Sequence, residues 1–291
     1  MKRLLFTTLL LVVFFEGYSQ TKLIIVDGVT KDPLPYTTIQ SINKKEGFIT
    51  DENGFIQLNL SQTDTIHISY VGYKSINYVV GNITNDKIEL FKETGSTLPD
   101  VIVKKYTPIG KPIRLGFHNL KMSWRMRGGL NRNKKYVGQE ITTLVEFPNE
   151  NDKYKLLKVI LPTNKIEKND PLRLHIYSIK DNGEPFEELL INDVVIDKGS
   201  NLFSNIEVDI SNQNIVLDSK GVFVGIQWVG YFDGEVKNTT DVSFTQEINK
   251  VNTYVTSVRY FNKTWFNKGI VNLENTSPSN LKVGLELQKM K

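Results

Sequence analysis

Three histidines, no cysteine and 32 scattered carboxylates are the groups from which chemistry in this 291-residue chain would have to come. A zinc peptidase needs an H-x-x-E pair, a distant third His and a further Glu as base. Three residues beyond His67, His118 and His175 stand Tyr70, Lys121 and Ser178, and H-E-x-x-H does not occur. A Ser-His-Asp hydrolase would need one of the same histidines as its base, with a G-x-S-x-G elbow that is absent. His67 in TIHISY and His175 in RLHIYS sit in strand-like runs where a structural role is expected, and His118 in GFHNL is the least constrained of the three. A glycoside hydrolase asks only for two carboxylates at the correct separation, which no sequence displays, so that class stays open.

Other ligand chemistries find thin support. Gly-rich phosphate cradles are missing. The stretch RMRGGLNRNKK reads as a solvated basic loop, although Arg125, Arg127, Arg132, Lys134 and Lys135 together could meet an acidic glycan or lipid head group. DENG and NDVVID carry oxygens suited to calcium but do not meet the D-x-[DN]-x-[DN]-G spacing, and turn formation explains both. No catalytic residue, metal ligand or cofactor is assigned. Aromatic rings remain. Flat Trp and Tyr side chains on β-sandwiches stack against sugar faces, burying apolar area while polar neighbours fix the hydroxyls. Trp124, Trp228, Tyr231, Trp265 and Phe266 are the candidates. In GVFVGIQWVGYF, Trp228 shares a strand face with Ile226 and Phe232, which favours the core. Tyr231 lies on the face of Gln227 and Val229, whereas Trp265 and Phe266 lie near a turn with Lys and Asn.

The elements that must position these groups are strands. After MKRLL comes an uncharged apolar run from Leu4 to Phe15 and then Gly17-Tyr18-Ser19, which is the pattern of a signal peptide over residues 1–19, with Gln20 the expected mature start. The run is shorter than the roughly 20 residues a membrane span needs. No later stretch approaches that length, so the mature chain is not expected to span a membrane. Losing Lys2, Arg3 and Glu16 takes the formal charge from +4 to +3, too mild a balance to suggest a nucleic-acid partner. Without disulfides, an exported chain must rely on burial, and 40% apolar content in a chain of this size allows two cores. Short runs rich in Ile, Val, Thr, Tyr and Phe are separated by turn signals at VDG, DPLP, ENG, DNG and FDG, which is all-β patterning. Ile56, Leu58 and Leu60 alternate with Gln57 and Asn59, and Ile66, Ile68 and Tyr70 with His67 and Ser69, predicting two half-buried strands joined by SQTD.

The order LIIVDGVTKDPLPYTTI, GFITDENGFIQLNL, DTIHISYVGYKS resembles the carboxypeptidase regulatory-like domain, a transthyretin-like β-sandwich. The resemblance implies a secreted or outer-membrane context in Bacteroidetes-type bacteria, an accessory role, and tyrosines 70 and 73 closing one end of the sandwich. ETGSTLPDVIVKKYTP, residues 93–108, looks like the segment after this domain in TonB-dependent receptors, but a barrel of about 22 strands of about 10 residues exceeds the chain that remains. The expected organisation is a regulatory-like domain at 20–93, a linker or terminal strand at 94–107, and a larger jelly-roll-like or Greek-key β-sandwich at 108–291. About nine strands are expected in that second domain, one of them over ELLINDVVI, ending in one followed by a frayed basic terminus. The functional expectation is an exported, non-enzymatic binding or assembly module of the cell envelope, in the periplasm, at the outer membrane or outside the cell, with a glycan or outer-membrane protein as partner. The alternatives are a carbohydrate-active hydrolase or lyase with paired carboxylates on the second sandwich, and a structural subunit associating through strand edges.

Overall fold

The computed structural model describes residues 20–44, 46–93, 106–116, 127–130, 138–149, 151–165, 171–196, 204–217, 220–230, 242–248, 256–261, 265–267 and 279–291. Seven strands form the first sandwich: β1 (Gln20–Asp27), β2 (Thr38–Ser41), β3 (Gly47–Ile49), β4 (Phe55–Asn59), β5 (Thr65–Ser69), β6 (Ile76–Val79) and β7 (Lys87–Leu90). One sheet runs β4-β1-β7 and the other β3-β2-β5-β6. Alternation places Ile56, Leu58, Ile66 and Ile68 at 5, 0, 0 and 0% exposure, in one core with Leu23, Ile25, Ile39, Ile88 and Leu90. Each such side chain contributes about 1.5–3 kcal/mol on leaving water. Strands β4 and β5 do not pair with each other: β4 lies on β1 and β5 on β2, so SQTD carries the chain from one layer to the other. The turn before β4 is built by Asp51, whose Oδ1 accepts from the N–H groups of Asn53 and Phe55 at 2.9 and 2.8 Å. Gly54 completes it at φ 69°, where a Cβ would come within 2.7 Å of the Ile25 carbonyl.

The remaining strands are β8 (Ile113–Gly116), β9 (Arg127–Leu130), β10 (Gln139–Glu146), β11 (Lys153–Lys165), β12 (Leu172–Ile179), β13 (Pro185–Glu188), β14 (Val195–Ile196), β15 (Ser204–Asp209), β16 (Val216–Leu217), β17 (Gly221–Trp228), β18 (Val242–Ile248), β19 (Thr256–Tyr260), β20 (Phe266–Asn267), β21 (Ser279–Leu281) and β22 (Gly284–Met290). They form a seven-stranded sheet ordered β13-β12-β17-β10-β19-β20, with β14 also on β12, and an eight-stranded sheet ordered β21-β18-β11-β22-β8, with β15 and β16 on β11 and β9 on β18. Leu172, Leu174, Ile176, Val222, Val224 and Ile226 of the first sheet meet Leu156, Val159, Leu161, Leu285 and Leu287 of the second in a single core. Neighbours such as β10 and β17, or β10 and β19, are distant in the chain, so the second unit is a Greek-key type of β-sandwich and the protein is all-β, as its patterning predicts.

Three local expectations are corrected. Within the stretch expected as a basic loop, Arg127–Leu130 is a strand whose backbone pairs with Val242–Thr245 of β18; its glycines and charges carry no strand pattern, and the partner supplies the order. The expected strand over ELLINDVVI is split between β13 and β14, because Glu188 and Asp193 turn to bond the neighbouring β12. The C-terminal end is pinned rather than frayed, since Lys291 and Thr107 exchange both backbone hydrogen bonds.

Candidate functional site

Strand β12 is buried on both faces from Leu172 to Tyr177. Leu172, Leu174 and Ile176 point into the core, so Arg173, His175 and Tyr177 line the opposite face. Register sets further polar groups beside them: Arg173 is opposite Gln227 of β17, Gln227 opposite Glu140 of β10, and Glu140 opposite Arg259 of β19. In the next row His175 is opposite Gly225, where a Cβ would lie 2.8 Å from Glu140 Oε1, 2.8 Å from Thr142 Cγ2 and 3.1 Å from His175 Cβ. The missing side chain lets these neighbours lean over β17.

Ion pairs and hydrogen bonds join the row. Arg259 Nε donates to Glu140 Oε2 at 2.8 Å and its Nη2 to the Tyr177 hydroxyl at 2.6 Å. The same guanidinium lies 4.2 Å from the Trp265 ring centre and 5.2 Å from that of Tyr177, and the two rings meet edge to face at 5.7 Å. His175 stacks on Tyr177 at 5.5 Å, with Nδ1 2.6 Å from Glu188 Oε2. Glu188 Oε1 accepts from the Ile176 and Leu190 N–H groups at 3.0 and 3.2 Å. Arg173 holds Asp193 through both Nε and Nη2, at 2.7 and 3.2 Å.

Charges this deep govern one another. Burial alone would raise the Glu140 carboxyl, but the His175 and Arg259 charges outweigh it and hold the group below its ordinary value. Burial would lower His175, but Glu140 and Glu188 outweigh it and raise the imidazole above its ordinary value. Glu140 is 1% exposed and its Oε1 has no hydrogen-bond partner among the described residues, so these charges stand in for one.

The network also reaches the first sandwich. Arg173 Nη2 donates to the Tyr36 carbonyl at 2.7 Å, its Nη1 lies 3.4 Å from Thr38 Oγ1, and its guanidinium sits 5.7 Å from the Tyr70 ring centre. Tyr36 and Phe261, both in the left-handed region at φ 56° and 50°, stand on this seam. The Phe261 ring is wedged between Gly47 and Gly138, where added Cβ atoms would come within 2.0 and 2.3 Å of it. Ile49 of β3 belongs to the larger core. The two tyrosines therefore have different roles. Tyr73 staples the first sandwich by donating to Asp27 Oδ2 at 2.6 Å, whereas Tyr70 packs edge-on against Tyr73 and turns toward Arg173. Asp27 is held down to about 2 by the Tyr73 hydroxyl, then by the N–H groups of Thr30 and Val29.

The aromatic candidates fall apart in space. Trp228 is 3% exposed and packs in the larger core, where its ring offers no open face. Trp265 is half-buried on Arg259 and Tyr177. The backbone of Phe266 lies in β20, opposite Val258. Trp124, Tyr231, His118, Arg125, Arg132, Lys134 and Lys135 lie outside the described residues, as does the segment 1–19. His67 is bonded to Asn77 on an exposed sheet face at 2.7 Å. Glu140, Arg173, Tyr177 and Arg259 escaped sequence reasoning because a polar residue at every second strand position reads as a wet face. The signal available was the coincidence of E, R, H, Q and R in four strands that otherwise carry almost no charge.

This arrangement holds charge and presents one supported indole; its carboxylates and imidazole already bond protein atoms. Among the described residues, no group of three or more His, Cys, Asp or Glu is placed to hold a metal ion, and no helix is long and apolar enough to cross a membrane. No curated protein matches the chain. Residues 24–103 do match the family model of the CarboxypepD_reg-like domain, and the described strands of that stretch, β1–β7, form a β-sandwich.

Proposed function

We propose that the chain is an exported, non-enzymatic binding module of a bacterial cell envelope, which takes a glycan or an outer-membrane protein through its second sandwich. The observation that carries this reading is Trp265, half-buried against Arg259 at 4.2 Å on a sheet whose charges are already neutralised in pairs. An indole held on a rigid sheet with its entropy already lost is suited to stacking on a flat partner. Support for the non-enzymatic part comes from the bonding of the candidate acid–base groups. Glu188 spends its oxygens on His175 and two backbone N–H groups, and Glu140 is sealed beneath Arg259. A general acid or base must instead reach a substrate proton. The accessory character of regulatory-like modules agrees with this assignment.

The test uses the chain from Gln20 onward, a glycan array and solubilised envelope fractions. Wild type binds, and Trp265→Ala loses about tenfold or more in affinity, as expected for a central aromatic worth about 1–2 kcal/mol or above. Absence of binding by wild type, or equal binding by the variant, defeats the reading. Fractionation with N-terminal sequencing tests export: a mature end at Gln20 supports it, and an intact Met1 in the cytoplasm defeats it.

A further inference from the structure

Both nitrogens of His175 face an oxygen. Nδ1 is 2.6 Å from Glu188 Oε2 and Nε2 is 3.4 Å from Gln227 Oε1. The Gln227 amide is held in this sense by its other bonds: its Oε1 accepts from Arg173 Nη1 at 3.2 Å and its Nε2 donates to the Gly138 carbonyl at 3.4 Å. A neutral imidazole would set a lone pair against one of the two oxygens, and only the imidazolium donates to both. The charge balance agrees. Arg173, His175 and Arg259 oppose Asp193, Glu188 and Glu140, so the buried network is neutral only when His175 carries its proton. The groups acting on the ring are Glu140 from β10, Glu188 from β13, Arg173 and Tyr177 on β12 and Gln227 from β17, with Arg259 of β19 beyond Glu140.

Gln227 is also where two anchors of the interdomain seam converge. Its Oε1 positions Arg173, which holds the Tyr36 carbonyl and Thr38. Its Nε2 holds Gly138, whose carbonyl accepts from the Phe261 N–H at 3.2 Å and against which the Phe261 wedge is packed. We propose that His175 is a proton-dependent lock for the two sandwiches, loosening the seam when it becomes neutral. Deprotonation sets the Nε2 lone pair against Gln227 Oε1. Rotating the amide to relieve that contact withdraws an acceptor from Arg173 and a donor from Gly138 together. Glu140 and Glu188 raise His175 above its ordinary value. The stabilisation is therefore complete below the unfolded-state value of about 6.5 and is lost as pH rises through the folded-state value. The lock stands independently of any ligand at Trp265.

The test is imidazole nitrogen NMR on the mature chain between pH 5 and 9.5, with amide hydrogen exchange over residues 33–41 and 256–261, corrected for intrinsic exchange. His175 protonated on both nitrogens at pH 7, with seam protection falling about tenfold for each unit by which its pKa is raised, supports the proposal. His175→Gln should flatten the pH dependence of protection, and His67→Gln should leave it intact. A neutral His175 at pH 7, or protection unchanged across its titration, overturns the proposal, and both readouts come from wild type even if His175→Gln does not fold.

Discussion

Replacing Arg173 by Met keeps most of the buried stem but removes the charge from the centre of the seam. Arg173 and Asp193 are 2% and 7% exposed at their side chains, so the carboxylate left behind has no water to take over its pairing. Breaking a buried pair from one side costs about 3–5 kcal/mol, whereas an exposed pair is worth about 0–1 kcal/mol. The structure puts this pair in the first class and adds the Tyr36 carbonyl, which loses its 2.7 Å donor. The double variant Arg173→Met/Asp193→Leu removes the stranded charge and should recover to within about 1–2 kcal/mol of wild type, the remainder of the loss being the Arg173 donors withdrawn from the Tyr36 carbonyl and Gln227 Oε1. Urea unfolding followed by tryptophan fluorescence reads this, because Trp228 packs in the larger core and Trp265 lies on Arg259 beside the seam. Hydrogen exchange at Tyr36–Thr38 reports the other side of the seam. A single variant that loses less than about 1 kcal/mol, or a double variant as unstable as the single, would refute the reasoning.

The remaining predictions concern the wedge and the staple. Gly47→Ala should destabilise by about 1–3 kcal/mol in a thermal or urea transition, since the Phe261 ring is blocked on its other side by Gly138 and cannot withdraw; an unchanged midpoint would show that the seam is loose. Asp27, lowered to about 2 by Tyr73 and two backbone N–H groups, contributes stability that is present above about 3.8 and is lost as pH falls toward 2. Wild type should weaken across that window under acid titration by near-ultraviolet circular dichroism. Asp27→Asn should be weaker at neutral pH and lack that component; identical acid profiles would remove the staple from the account.

Much of the fold was legible in the sequence because burial writes itself in alternation. Ile56, Leu58, Ile66 and Ile68 could be placed inside before any coordinates, and the main strands of the second sandwich stand close to where their β-branched runs begin and end. What alternation does not encode is the identity of the partner strand. Neither the separation of β4 and β5 into different sheets nor the pairing of Arg127–Leu130 with β18 has a local signal. The charge network was invisible for a related reason. Arg173, His175 and Tyr177 have the period of solvent-facing residues, and among the described residues Trp265, Arg259 and the docked Tyr36 and Thr38 turn that face inward. Among the ring candidates, the face shared with Ile226 pointed to Trp228 as core, whereas Trp265 depends on Arg259, a residue brought beside it by tertiary structure.

The central claim is that the second sandwich recognises a partner without transforming it. Its most direct test incubates the chain from Gln20 onward with immobilised envelope glycans and with solubilised envelope fractions, following retention and release of cleaved product in the same samples. The account predicts saturable retention of the wild-type chain, weakened about tenfold by Trp265→Ala, with no product formed. Accumulation of cleaved product, or no retention on any of these surfaces, would contradict it.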